Sequence, residues 1–214
     1  MVNYFVTRKY FYAIYCILLI VLTLIYFTFT KEELFFTING NNTLFLDYFF
    51  FLVTELGNAW TYILFILGSL IFPRRLTFML LTGLLLSTFF AQGLKHFVFE
   101  HAARPLLYFK ESQPIHHLSY TRALYHHSFP SGHTVSVFTL ITLLVAIFSK
   151  RKYDLLLLSF ALLTAYSRVY LGHHFYEDVL FGSFIGVVSG TIVIYFFRNE
   201  LKYNIPFIKS RFTS

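Results

Sequence analysis

Six apolar runs, separated by short polar or basic segments, set the pattern of this chain. The first, Tyr10 to Thr30, holds no charged residue and matches the roughly 20 apolar residues that span a bilayer as a helix. The others are Trp60 to Phe72, Leu76 to Phe97, Val135 to Ser149, Leu155 to Tyr166 and Val179 to Phe197. The short ones extend into their flanks, through Asn58 and Ala59 before the second and from Pro130 before the fourth. The pattern predicts an all-α, polytopic membrane protein built as a bundle of six transmembrane helices. Arg8 and Lys9 also suit the start of a signal peptide. The run after them is long for one and no small-residue cleavage site follows, so a retained anchor is expected.

Two intervening segments break the alternation. Leu34 to Gly57 contains the apolar stretch LFLDYFFFLV, too short to span and interrupted by Asp47. It predicts an amphipathic helix lying at the membrane interface. Val98 to Phe129 is longer than structureless loops in compact domains usually are, and is rich in His, Arg and aromatic residues, which marks it as functional. No linker, repeat or second composition divides the chain. Residues 1–214 read as one membrane-embedded domain with its chemistry between 95 and 178.

Composition agrees. Of 214 residues, 57% are hydrophobic and 13% charged, against about 25% charged in soluble domains. A soluble globular protein is excluded on that ground. The net charge of +7 is no nucleic-acid footprint without a clustered basic face, so the expected partners are the bilayer and a membrane lipid, with no nucleic acid. The single cysteine, Cys16, excludes an intrachain disulfide. Basic residues test the span count, because cytoplasmic loops are enriched in Lys and Arg. With the N-terminus inside, Arg8, Lys9, Arg74, Arg75, Lys150, Arg151, Lys152, Arg198, Lys202, Lys209 and Arg211 lie inside. Lys31, Lys95, Arg104, Lys110, Arg122 and Arg168 lie outside, a split of 11 to 6. Eight of ten acids and all nine histidines fall outside. Both termini are therefore expected in the cytoplasm, with the long loop facing outward.

Candidate chemistry gathers at the outer ends of the predicted helices. Pro130-Ser131-Gly132 is a helix-start signal with Ser131 as cap. A helix N-terminus offers free N–H groups and a positive dipole end to a phosphate, and His133 sits in that first turn. His174 and Asp178 are four residues apart and share a helical face. The carboxylate can accept from Nδ1 and leave Nε2 free, the orienting logic of a catalytic triad. Lys95, Arg104 and Arg168 add cations at a depth where ionisable groups are costly and usually functional. Two histidines, a carboxylate and three cations suit transfer of an anionic group, phosphoryl transfer above all. The residues alone do not choose which histidine attacks.

The three segments resemble the signature of the type 2 phosphatidic acid phosphatase superfamily of membrane phosphatases: K-x6-R-P, then P-S-G-H, then S-R-x5-H-x3-D. The second is present in full, and the third as SRVYLGHHFYED, whose spacing selects His174 over His173. The first departs: eight residues separate Lys95 from Arg104, and Phe97 stands at the lysine position. A local bulge could bring Lys95 in. The resemblance implies phosphate hydrolysis through a phosphohistidine, without metal or other cofactor; the charge split puts the site at the extracytoplasmic face of a bacterial inner membrane, at headgroup level beside an amphipathic aromatic segment, where lipid phosphates are the expected substrates. By the resemblance His174 is the nucleophile, Asp178 its orienter and His133 the acid for the leaving oxygen. Lys95, Arg104, Ser131, Gly132 and Arg168 hold the phosphate. Lipid A phosphates, undecaprenyl pyrophosphate and phosphatidylglycerol phosphate are the substrate candidates. A lipid-to-lipid phosphotransferase would share every motif residue, and a lipid-binding or transport protein would keep the site without turnover.

Other features read more plainly. His116-His117 and His126-His127 invite a metal, but adjacent residues share no helix or strand face and no ligand spacing accompanies them. Gly182, Gly186 and Gly190, at four-residue spacing, predict close helix packing or a dimer face. The oligomeric state stays open.

Overall fold

The computed structural model describes residues 8–118, 121, 123–148 and 152–204. Arg122, Ser149, Lys150, Arg151, Lys209 and Arg211, which enter the readings above, lie outside the described residues. Among the described residues there are helices and no strand. In chain order they are α1 (Lys9–Thr28), α2 (Lys31–Asn39), α3 (Leu44–Thr54), α4 (Ala59–Ser69), α5 (Arg74–Gly93), α6 (Pro105–Tyr108), α7 (Gly132–Ile147), α8 (Lys152–Tyr170) and α9 (Tyr176–Asn204).

Each apolar run carries a helix. Among the described residues three segments, Lys9–Thr28, Arg74–Val98 and Tyr176–Phe197, are long and apolar enough to cross a membrane. A fourth crossing arises if α3, the 3-10 turn Glu55–Gly57 and α4, bent by 53°, are taken as one broken span. The segment between the first two runs thus forms two helices rather than one. Thr30 and Glu33 start α2 with a reciprocal capping box, and the Thr43 hydroxyl accepts from Leu46 N to start α3. Asp47 is absorbed by the protein: its Oδ1 accepts from the Tyr170 hydroxyl at 2.7 Å and lies 2.7 Å from His116 Nε2. A polar group so paired can sit inside an otherwise apolar helix.

The central helix is α7. Twelve of its 16 residues are buried, as expected of a helix that is apolar all round. It is wrapped by α5, α8 and α9. The glycines of α9 let it approach α7 closely. A β-carbon at Gly186 would fall 2.6 Å from Phe138 Cβ, and one at Gly190 2.7 Å from Thr142 Cβ. That face of α9 is spent on packing within the chain, not on a dimer.

Chain direction sorts the polar clusters to opposite ends. The start of α7 and the end of α8 lie at one end, together with the start of α9. At the other, about 24 Å away along α7, Arg8 before α1 bridges the end of α7 and the start of α8. Its guanidinium pairs with Asp154 at 3.0 Å and donates to the carbonyl of Phe148.

Candidate active site

The turn from α8 to α9 explains the spacing of the third motif. Gly172, at φ +70°, ends the helix in the left-handed conformation that glycine adopts most readily. The chain then folds back, so that the N–H groups of His173 and His174 both donate to the carbonyl of Arg168, at 3.0 and 3.2 Å. Five intervening residues are what this reversal takes up. His174 is thereby set over the last turn of α8.

Asp178 does two things at once. Its Oδ2 accepts from Phe175 N at 2.9 Å, capping α9, and from His174 Nδ1 at 3.2 Å. The same oxygen accepts from the Ser128 hydroxyl. The Asp178 carbonyl takes the N–H of Ser131 at 3.0 Å, which joins the start of α7 to the start of α9. Ser131 is fully buried, and its hydroxyl caps α7 by accepting from Thr134 N and Thr134 Oγ1. Val135 N is taken by the Ser131 carbonyl. The remaining first-turn donors of α7 are the N–H groups of Gly132 and His133, the kind a helix start leaves unpaired.

Three cations close the site from other elements. Lys95 lies in a π-helical turn, Leu94–Val98, that continues α5. The wider winding turns Lys95 inward at 7% exposure and leaves Phe97 outward at 90%. The spacing departure in the first motif is thus absorbed, and Lys95 takes the inward position. Its Nζ donates to the His127 carbonyl at 2.7 Å. Arg104 donates to the carbonyls of His126 (2.9 Å), His173 (2.9 Å) and His127 (3.3 Å). His127 itself has φ +55°, a conformation uncommon outside glycine, and its carbonyl serves both cations. Arg168 donates through Nη1 to Thr54 Oγ1 at 2.7 Å, while its buried Nε has no hydrogen-bond partner.

The tautomer of His174 follows. Arg104 Nη1 lies 3.2 Å from His174 Nε2, and a guanidinium only donates. Nε2 must present its lone pair, so the ring proton is on Nδ1, facing Asp178. Burial, reinforced by Arg104, Lys95 and Arg168, holds the His174 pKa well below the usual imidazole range. Burial likewise lowers His173 to about 2 and Arg104 to about 10. The outcome is a neutral imidazole among fixed cations, the state a nucleophile requires.

All eight residues singled out in the sequence come to this end of the bundle: His133, His174, Asp178, Lys95, Arg104, Ser131, Gly132 and Arg168. The paired histidines are occupied otherwise. His116 ties the loop to Asp47 and, through its backbone, to Asn39. His117 packs edge-on against His173. His126 and His127 lend their carbonyls to the cations. Among the described residues no three His, Cys, Asp or Glu side chains gather as metal ligands. Sequence reading missed Ser128, Thr54 and these carbonyls. Only Ser128, two residues before Pro130, carried a local hint.

Residues 76–202, more than half of the chain, match the PAP2 superfamily. Over 176 residues the chain is 28% identical to a lipid A 4'-phosphatase of Porphyromonas gingivalis, covering 76% of this chain and 71% of that protein. A shorter stretch of 71 residues is 37% identical to undecaprenyl-diphosphatase BcrC of Bacillus subtilis, covering 33% of this chain and 34% of the relative. Among solved structures, Aquifex aeolicus LpxE superposes with a TM-score of 0.68 at 30% identity, over 77% of this chain and 94% of that one. A transmembrane PAP2 type phosphatidylglycerolphosphate phosphatase from Bacillus subtilis shares the fold, with a TM-score of 0.62 at 22% identity over 93% and 98% of the two chains.

Proposed function

This chain belongs to the PAP2 superfamily, and from that premise we propose that it is a phosphatase removing a phosphate monoester or pyrophosphate group from a membrane lipid. The observation that carries the reading is the state of His174. Its Nδ1 is engaged by Asp178, its Nε2 lone pair faces Arg104 Nη1 at 3.2 Å, and burial with the charges of Arg104, Lys95 and Arg168 holds the ring neutral. In the reaction Nε2 attacks phosphorus while the bond from phosphorus to the lipid oxygen breaks. His133 gives its proton to that oxygen. Water then cleaves the phosphohistidine and returns a proton to His133. The cations, with the first-turn N–H groups of α7, stabilise charge on the transferring phosphoryl group. The unsatisfied Nε–H of Arg168 offers one more donor to a phosphate oxygen. This chemistry calls for no metal.

We read all six apolar runs as membrane crossings, with the site at the extracytoplasmic face of a bacterial inner membrane. Support comes from the sorting of the bundle. Arg8, Arg74 and Arg75 start helices at the end away from the site, where the positive-inside rule puts the cytoplasm. A lipid A phosphate is the first substrate to try, because the lipid A 4'-phosphatase aligns over most of this chain. The test is release of free phosphate by purified protein from a panel of lipid A, undecaprenyl pyrophosphate and phosphatidylglycerol phosphate. Release should survive EDTA and be inhibited by vanadate, a mimic of five-coordinate phosphorus. No release from any of the three, by protein shown to be folded, would overturn the reading. Loss in EDTA that Zn²⁺ restores would overturn its metal-free mechanism.

A further inference from the structure

Two of the site's key residues are held by a segment that belongs to none of the three motifs. Residues 54–57 are where α3 ends, passes through a 3-10 turn and bends into α4. Polar side chains hold this break in place: Asn58 caps α4 by accepting from Trp60 N, and the Thr61 hydroxyl donates to the Glu55 carbonyl at 2.6 Å. At its start, the Thr54 hydroxyl accepts from Arg168 Nη1 at 2.7 Å, with both residues buried. At its end, Gly57 lies against the first turn of α7. A β-carbon there would fall 2.8 Å from both Cβ and the carbonyl oxygen of His133, and 2.9 Å from Thr164 Cγ2. None of those atoms is the loose end of a flexible side chain. The hydroxyl of Thr164, one turn before Arg168 in α8, donates to the Phe160 carbonyl at 2.9 Å and lies 3.4 Å from the Val53 carbonyl. The break is therefore fitted to the α8 face that bears Arg168 and to the α7 turn that bears His133.

We propose that residues 54–57 form a wall of the phosphate site, in which Thr54 positions Arg168 to receive phosphate and Gly57 sets the place of His133. The inference rests on the roles given above to Arg168 and His133. Arg168 is a long side chain with several rotamers. Thr54 pins one arm of its fork through Nη1, and the unpartnered Nε edge is left for an anion. Without that acceptor the guanidinium has both a buried unsatisfied donor and freedom to turn away. His133 sits where it does because no side chain occupies position 57.

The experiment compares Thr54→Val, Thr54→Ser, Gly57→Ala and Arg168→Leu, purified in detergent and shown to be folded. Each is assayed for kcat and KM on a lipid phosphate and on nitrophenyl phosphate. Inorganic phosphate binding is read separately, as the rise it causes in the unfolding midpoint. Thr54→Val keeps the shape and removes the acceptor. It should weaken phosphate binding and lower kcat/KM about 10- to 100-fold on both substrates, the range for one hydrogen bond to a charged group. Thr54→Ser restores the hydroxyl and should recover most of the loss. Gly57→Ala should lower kcat on the lipid phosphate more than on nitrophenyl phosphate, whose leaving group needs no proton. A role in helix packing alone predicts a lower unfolding midpoint with phosphate binding by the folded protein unchanged, and that result would sink the proposal. If Thr54→Val does not accumulate, Thr54→Ala against Thr54→Ser makes the same decision. If Arg168→Leu leaves phosphate binding intact, the reading of Arg168 fails and takes this inference with it. If Arg168→Leu abolishes binding and Thr54→Val does not weaken it, only this inference fails.

Discussion

The two ends of the bundle each bury charge, and they do so differently. At the end holding the start of α1, the Arg8 guanidinium meets the carboxylate of Asp154 and the carbonyl of Phe148. At the other end the three cations Lys95, Arg104 and Arg168 outnumber the two acids that act on them, Asp178 and Glu55, and Asp178 is already engaged by His174, Ser128 and Phe175. In the first cluster a carboxylate answers the cation directly. In the second, backbone carbonyls satisfy the hydrogen bonds of Lys95 and Arg104 but cannot cancel their charge. Buried positive charge in excess of its counter-charge is costly, which is the imbalance that the proposed phosphate would relieve. A structural clamp and a binding site can thus be told apart by their charge balance as well as by their residues.

The largest effect that sharpens this contrast is loss of the nucleophile. His174→Ala should be inactive on lipid phosphates and on nitrophenyl phosphate alike, since no covalent intermediate can form. His133→Ala should lose the ~10²–10⁴-fold of acid catalysis on a lipid phosphate and much less on nitrophenyl phosphate. Activity surviving in His174→Ala but lost in His173→Ala would move the nucleophile to the neighbouring ring. Next come paired changes at the two ends. Lys95→Met should cost about 10²-fold in kcat/KM, while the unfolding midpoint holds or rises because like charges are relieved. Asp154→Asn should do the reverse, destabilising by about 3 kcal/mol with turnover per folded molecule unchanged. Equal effects of both on stability would erase the distinction between the ends. Ser128→Ala should lower kcat about tenfold by loosening Asp178, with KM little changed; a change confined to KM would mean that Ser128 touches substrate instead.

The smallest expected effect is on pH. His173 and His174 are held neutral by burial, with His173 at about 2, whereas in the unfolded chain a histidine protonates near 6.5. Between those values the unfolded state binds more protons, so stability is full above pH ~6.5 and is lost as pH falls toward the folded values. The unfolding midpoint in detergent should drop between pH 7.5 and pH 5. His173→Gln should make that drop shallower, and an unaltered slope would mean that His173 protonates freely in the fold.

What was legible in the sequence was what local rules build. Ser131, His133, Arg168, His174 and Asp178 are placed by a helix cap, a glycine turn and an i, i+4 pair, all written in short contiguous stretches. The six apolar runs each became a helix for the same reason. The rest depended on partners far along the chain. Asp47 reads as an interfacial charge because the Tyr170 and His116 that absorb it lie 123 and 69 residues away. The break at 54–57 therefore looked like part of one surface helix. Thr54 carries no motif, and the carbonyls of His126 and His127 have no side-chain signature at all.

The π-helical turn at Leu94–Val98 has a consequence for how such sites tolerate change in chain length. Two residues more than the usual spacing would, on a rigid α-helix, rotate the lysine by about 200° to the opposite side. Here the looser turn is followed by the turn at 99–103, and the ammonium reaches the same His127 carbonyl that Arg104 does, although the count along the chain differs. An insertion here is silent in space though conspicuous in text. A search that demands fixed intervals between motif residues would discard such a chain, whereas one that asks which side of the helix each residue occupies would keep it.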